Sequence, residues 1–204
     1  MNEILPGVFH WTALHPDINL DVHCYYLSAT EPAVLIDPLL PAEGVGWFET
    51  HDRPEHIILT NRLHYRHCEQ FFEVFSPKIW CHQAGMHEFT QGEPVTSFEH
   101  GDELPGGVLA VEVGSLCPEE TALYIPQEGG ILSIGDAVVR WDGELMFVPD
   151  RLMGEDPEGV KSGLLEALER LLEQDFEHLL FAHGEPIIGG AKAALKAFVE
   201  QAKS

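Results

Sequence analysis

The run His56-Ile57-Ile58-Leu59-Thr60 places three apolar side chains in succession instead of alternating them with polar ones. Successive side chains of a strand point to opposite faces, so an unbroken apolar run belongs to a strand covered on both sides. A chain that contains it is expected to cover both faces of that strand. The material for such a core is present: of 204 residues, 45% are hydrophobic and 22% charged. That is one folded domain over residues 1–204 and not a disordered chain.

Around this run the pattern alternates between short strands and helices. Val8 to Ala13, Val22 to Ser28 and Ala33 to Asp37 are rich in β-branched and aromatic residues and end on turn formers, which predicts an opening meander. A short helix to about Thr50, a polar loop from Asn61 to His67, a helix over Cys68 to Phe75 and a strand over Lys78 to Cys81 are expected next. Val108 to Val113, Thr121 to Ile125 and Ile131 to Ile134 read as strands separated by Gly, Pro and acidic turns, Gly106-Gly107 and Gly129-Gly130 among them. Asp156 as cap and Pro157 in the first turn open a helix whose Val160, Leu164, Leu168, Leu171 and Leu172 share a face. A strand over His178 to Ala182, a loop over His183 to Pro186 and a helix from about Gly190 to Ala202 complete a mixed α/β sandwich.

Lys and Arg number 11 against 34 Asp and Glu, a formal net charge of −23. A phosphate backbone would be repelled by this surface, so nucleic acid is not an expected partner. No apolar run reaches the ~18 residues of a membrane span, and Met1 to Phe9 lacks the basic start of a secretory signal, so a cytoplasmic location is expected. Cys24, Cys68, Cys81 and Cys117 show no Cys-x-x-Cys spacing and read as reduced thiols. A sheet edge among the opening strands would suit a homodimer.

There are 12 histidines, and position separates them. His64 and His67 lie in the loop leaving the buried strand, His183 follows the last strand, and Asp136 follows Ile131 to Ile134. Side chains at strand exits converge on a crevice. His10, His15 and His23 in the opening strands, and His82 and His87 after the Trp80-Cys81 strand, are read as structural. No Gly-x-Ser-x-Gly elbow supports a serine hydrolase.

With its strand Ile57-Ile58-Leu59-Thr60, its paired opening strands ending at Val34-Leu35-Ile36-Asp37, its Gly135-Asp136 and its Ala182-His183-Gly184, the chain resembles the metallo-β-lactamase fold superfamily. The resemblance runs nearly end to end and implies a four-layer αββα sandwich. The family's His-x-His-x-Asp-His loop is altered: with one extra residue after Thr60, His64 and His67 fall on its second and last histidines. Arg62 and Arg66 then stand at its first histidine and its aspartate. Ser115, after Val113-Gly114, falls where the family has a middle histidine. His64, His67, Asp136 and His183 remain as metal ligands. The resemblance implies too few ligands for the first metal and, for the second, His67, Asp136 and His183, a set suited to zinc, iron or manganese.

Two readings follow. In one, a metal-dependent hydrolase with a degenerate site holds at most one divalent ion and acts on an anionic ester, thioester or phosphoester, with His64, Arg62 and Arg66 in catalytic roles. In the other, the protein is metal-free and inactive: the arginines replace the cations, one pairing with Asp136 and the other holding a small anionic molecule.

Overall fold

Ile57, Ile58 and Leu59 are fully buried, and they face two different cores. The computed structural model describes residues 1–203. Its first sheet contains β1 (Asn2–Leu5), β2 (Val8–Leu14), β3 (Asp21–Leu27), β4 (Val34–Ile36), β5 (His56–Ile58), β6 (Lys78–His82) and β7 (Val95–Phe98), paired in sequence order. The strands from β1 to β4 run antiparallel, and those from β4 to β7 run parallel. Helices α1 (Gly46–Glu49) and α2 (Cys68–Phe75) make the parallel crossovers between β4 and β5 and between β5 and β6.

The second sheet is built from β8 (Glu103–Leu104), β9 (Val108–Glu112), β10 (Thr121–Ile125), β11 (Ile131–Ile134), β14 (His178–Phe181) and β15 (Ile187–Ile188), in the spatial order β15-β14-β11-β10-β9-β8. Only β11 and β14 pair in parallel. Between them run a small hairpin, β12 (Val139–Trp141) with β13 (Glu144–Met146), and helix α3 (Pro157–Leu171). Asp156 caps α3 by accepting the Gly159 N–H, with Pro157 in the first turn as the sequence predicts. Helix α4 (Ala191–Ala202) closes the chain.

Three apolar cores hold four layers together. Ile57 and Leu59 pack outward with Leu35 and Tyr26 against Phe48 of α1 and Phe71 of α2. Ile58 and Ile36 point inward to meet Leu123, Ile125, Ile131 and Leu180 of the second sheet. On the far side, Leu179 and Phe181 pack against Leu164 and Leu168 of α3 and Leu195 and Val199 of α4. The layers therefore read helix, sheet, sheet, helix, as the resemblance implies, and the apolar runs of β5 and β14 mark the strands covered on both faces.

The sequence-based expectations missed the short strands β1, β7, β8, β12, β13 and β15, whose exposed or brief patterns carry little period. The expected Asn61–His67 loop is in part a 3-10 helix, Arg62–Tyr65, capped by the Asn61 side chain, which accepts the Leu63 N–H at 2.9 Å. No helix among the described residues is long and apolar enough to cross a membrane.

Candidate metal centre

The carboxyl ends of β4, β5, β11 and β14 meet at one rim. Backbone hydrogen bonds fix that meeting: Thr121 N–H donates to Thr60 across the two sheets, His23 N–H to Ala182, and Ala182 N–H to Ile134. The close approach is possible because residue 135 is glycine. A Cβ there would lie 2.6 Å from both Glu120 Oε1 and Thr60 Oγ1.

His64, on the 3-10 helix after β5, is buried. Its Nδ1 faces Thr60 Oγ1 at 2.9 Å and Asp37 Oδ2 at 3.0 Å. Asp37 is itself fixed by the Thr60 N–H and hydroxyl, at 2.9 and 2.6 Å. The His64 Nε2 is thereby turned toward Asp136 Oδ1, 3.5 Å away, and His183 Nε2 reaches the same oxygen at 3.3 Å. One donor atom from each of His64, Asp136 and His183 lies within 4.8 Å of the others. A carboxylate holding the outer nitrogen of a histidine while the inner one faces a shared point is the usual support of a metal ligand.

Electrostatics favour positive charge here. Burial and the Arg66 guanidinium push the His64 imidazole down, but Asp37 and Asp136 outweigh them and carry it up to about 9. Burial would raise Asp136, yet His64 and His183 hold it well below the usual carboxylate range. Glu120, fully buried, is raised by burial and then by Asp136. Its Oε1 accepts the N–H groups of Asp136 and Ala137 at 2.6 and 3.1 Å, and its Oε2 accepts from Asn61 Nδ2 at 3.2 Å. Asn61 Nδ2 also reaches Asp136 Oδ2 at 3.2 Å. Asp136 Oδ1 is buried, and the partners it faces are the Nε2 nitrogens of His64 and His183.

Of the predicted ligands, three are brought together and the fourth is not. His67 stands at the N-terminus of α2, where its Nδ1 accepts the Leu40 N–H at 3.0 Å. The two histidines of the loop part because a 3-10 helix and then a left-handed Arg66 (φ 42) separate them. Arg62 turns away from Asp136 and pairs with the buried Glu119 and, at 3.5 Å, with Glu88. Arg66 makes no ion pair with Asp136; its Nη1 donates to the Asp37 carbonyl at 2.8 Å, and its Nε is buried without a partner.

Ser115 is not at the site. Its hydroxyl reaches only the Val113 carbonyl at 3.5 Å, beside Gly163 of α3. Glu120 arrives from the same loop instead. The signal for it was the acidic pair Glu119-Glu120 directly before β10, and for Asp37 its place at the end of β4. Cys68 is fully buried, and burial raises its thiol well above the ordinary value, so it is no nucleophile.

No known family's sequence profile matches the chain, and no curated protein matches it in sequence. Solved structures do. The protein TTHA1623, solved in a di-iron-bound form, is 23% identical with a TM-score of 0.71, over 93% of this chain and 99% of that one. An archaeal metallo-β-lactamase superfamily protein from Sulfolobus tokodaii is 14% identical with a TM-score of 0.68, over 97% and 86%. A B3 metallo-β-lactamase described as having an active-site glutamic acid is 12% identical with a TM-score of 0.63, over 89% and 81%. At such identities the likeness is one of architecture, and it agrees with the four layers and the rim where the strands end: the chain has the metallo-β-lactamase fold.

Proposed function

We propose that the protein is a metal-dependent hydrolase with a reduced site, holding one divalent ion through His64, Asp136 and His183 and acting on a small anionic ester, thioester or phosphoester. The observation that carries this reading is the trio itself: Asp136 Oδ1 is buried and set between the Nε2 nitrogens of His64 and His183, with one donor atom from each residue within 4.8 Å of the others. Two imidazole nitrogens and one carboxylate oxygen that face a common point, with the His64 ring held from behind by Asp37 and Thr60, form a donor set that a cation completes. Two histidines and a carboxylate suit zinc, iron or manganese. Such an ion, when bound, supplies a Lewis acid and an activated water near neutral pH.

The remaining residues position and bind. Asp37 and Thr60 fix the ring of His64, while Glu120 holds the Asp136 backbone through two N–H groups. Asp37 and Glu120 have their oxygens engaged by protein donors, so they orient the trio instead of enlarging it, and one ion is what the donors support. Arg66, anchored by its Nη1 on the Asp37 carbonyl, sets a fixed positive charge near His64 that favours an anionic substrate. The di-iron protein and the B3 enzyme among the structural neighbours support a hydrolytic, metal-holding ancestry. The metal-free reading asks one arginine to pair with Asp136 and the other to hold an anion, but Arg62 is committed to Glu119 and Glu88, and Arg66 donates to the Asp37 carbonyl instead of pairing with Asp136.

The test is metal content by elemental mass spectrometry after loading and dialysis, with hydrolysis assayed on carboxylate-bearing esters, thioesters and phosphoesters. Asp136→Asn should retain one ion fewer per chain than the wild type, and His183→Ala should lose hydrolysis. Equal metal content in wild type and Asp136→Asn would sink the proposal.

A further inference from the structure

His10 and His23 lie outside the centre described above, on β2 and β3. The register pairs His10 with Tyr25 and Thr12 with His23, so the two histidines are diagonal neighbours on one face of an antiparallel pair. Diagonal neighbours are close enough for long side chains to meet. The two rings lie 5.0 Å apart at 11°, with His10 Nε2 and His23 Nδ1 only 2.8 Å from each other. Tyr25 stacks on His10 at 5.2 Å, and its hydroxyl is locked between the Phe181 carbonyl and N–H, so the histidine pair is held rigidly.

A third donor comes from the loop after β14. The Arg140 N–H donates to the His183 carbonyl, and the Arg140 guanidinium donates to the carbonyls of Gly143, Glu185 and Pro186. Gly184, at φ 113, lets the loop press against the Arg140 carbonyl, which a Cβ would meet at 2.1 Å. Arg140 is thus spent on carbonyl groups, and among the described residues the Glu185 carboxylate makes no ion pair. One donor atom from each of His10, His23 and Glu185 lies within 4.8 Å of the others. An open cleft lined by His23, Arg140, Asp142, Gly143, Gly184 and Glu185 gives access from solvent.

We infer that His10, His23 and Glu185 form a second, separate divalent transition-metal site, of zinc-binding type, with buried imidazoles on the sheet and an exposed carboxylate at its mouth. The 2.8 Å contact between the two ring nitrogens needs a neutral acceptor, and burial first, then His23 for His10 and His183 for His23, pushes both imidazoles down to about 4. The hydrogen now shared between the two nitrogens moves to an outer ring nitrogen when the ion binds. The pair therefore ligates as two neutral imidazoles and releases no net proton. Imidazole nitrogens with one carboxylate, leaving a position for water, suit zinc, with copper and nickel also accepted.

The inference does not rest on the proposed hydrolase, and its test keeps the two apart. Isothermal calorimetry with zinc alone is run on Asp136→Asn, which lacks the first centre. One zinc per chain is expected. Adding Glu185→Gln, an exposed change that leaves the core intact, should weaken that binding by roughly 10- to 100-fold, and adding His10→Gln should abolish it. Far-UV circular dichroism checks that each variant is folded. Zinc binding unchanged by Glu185→Gln and His10→Gln, or no zinc bound by Asp136→Asn, overturns the site.

Discussion

Arg66 has φ 42 and ψ −112, a conformation that costs a non-glycine residue about 1–3 kcal/mol. The turn it makes ends the 3-10 helix carrying His64, and it aims the guanidinium back at the Asp37 carbonyl. The arginine so held sets a fixed positive charge that acts on His64. Arg66→Ala should raise KM for an anionic substrate about 10- to 100-fold, the worth of one charged hydrogen bond, with kcat much less changed. An unaltered KM would remove Arg66 from substrate binding. The loop sequence showed the arginine and its charge. It did not show that Arg62 finds Glu119, 57 positions on, because that pair exists only once β10 lies against the end of β5.

At the scale of elements, the end of β11 is the tightest junction. Gly135 sits where Glu120, Thr60 and the Asp136 backbone converge, with no space for a methyl group. Gly135→Ala should lower stability by about 1–3 kcal/mol in urea denaturation, because both blocked atoms belong to buried side chains with little room to move. A fully stable Gly135→Ala protein would show that the junction is looser than described. Elements with a strong signal were legible: β5 and β14 from their apolar runs, α3 from its cap and one-sided leucines. His67 was misplaced because a loop's course decides which way its side chains turn, and the three-residue spacing to His64 carries no record of a 3-10 turn followed by left-handed backbone.

For the whole molecule, burial pushes several histidines below their ordinary value. His82 and His100 stack at 3.8 Å, and burial, with His82 acting on His100, lowers both below the ordinary 6.5. Their folded values lie below the unfolded one, so the unfolded chain binds more protons as pH falls through 6.5. Stability is full above that pH and declines below it. The melting temperature should therefore drop from pH 7 to pH 5, and drop less in His100→Gln; an equal drop in both would clear this pair of the effect.

The sequence by itself determined a mixed α/β sandwich with strands covered on both faces, the strand exits that carry His64, Asp136 and His183, and the excess of acid over base, while the four-layer order came from the family resemblance. These depend on side-chain period and on residue type at element ends, which are local properties. Only the tertiary structure decided that Asp37 orients His64, that Glu120 and not Ser115 enters the site, that His67 and Arg62 stay out of it, and that His10 and His23 meet Glu185. Each of those relations joins residues from separate strands or loops, and the distances between them are set by how two sheets pack and not by anything along the chain.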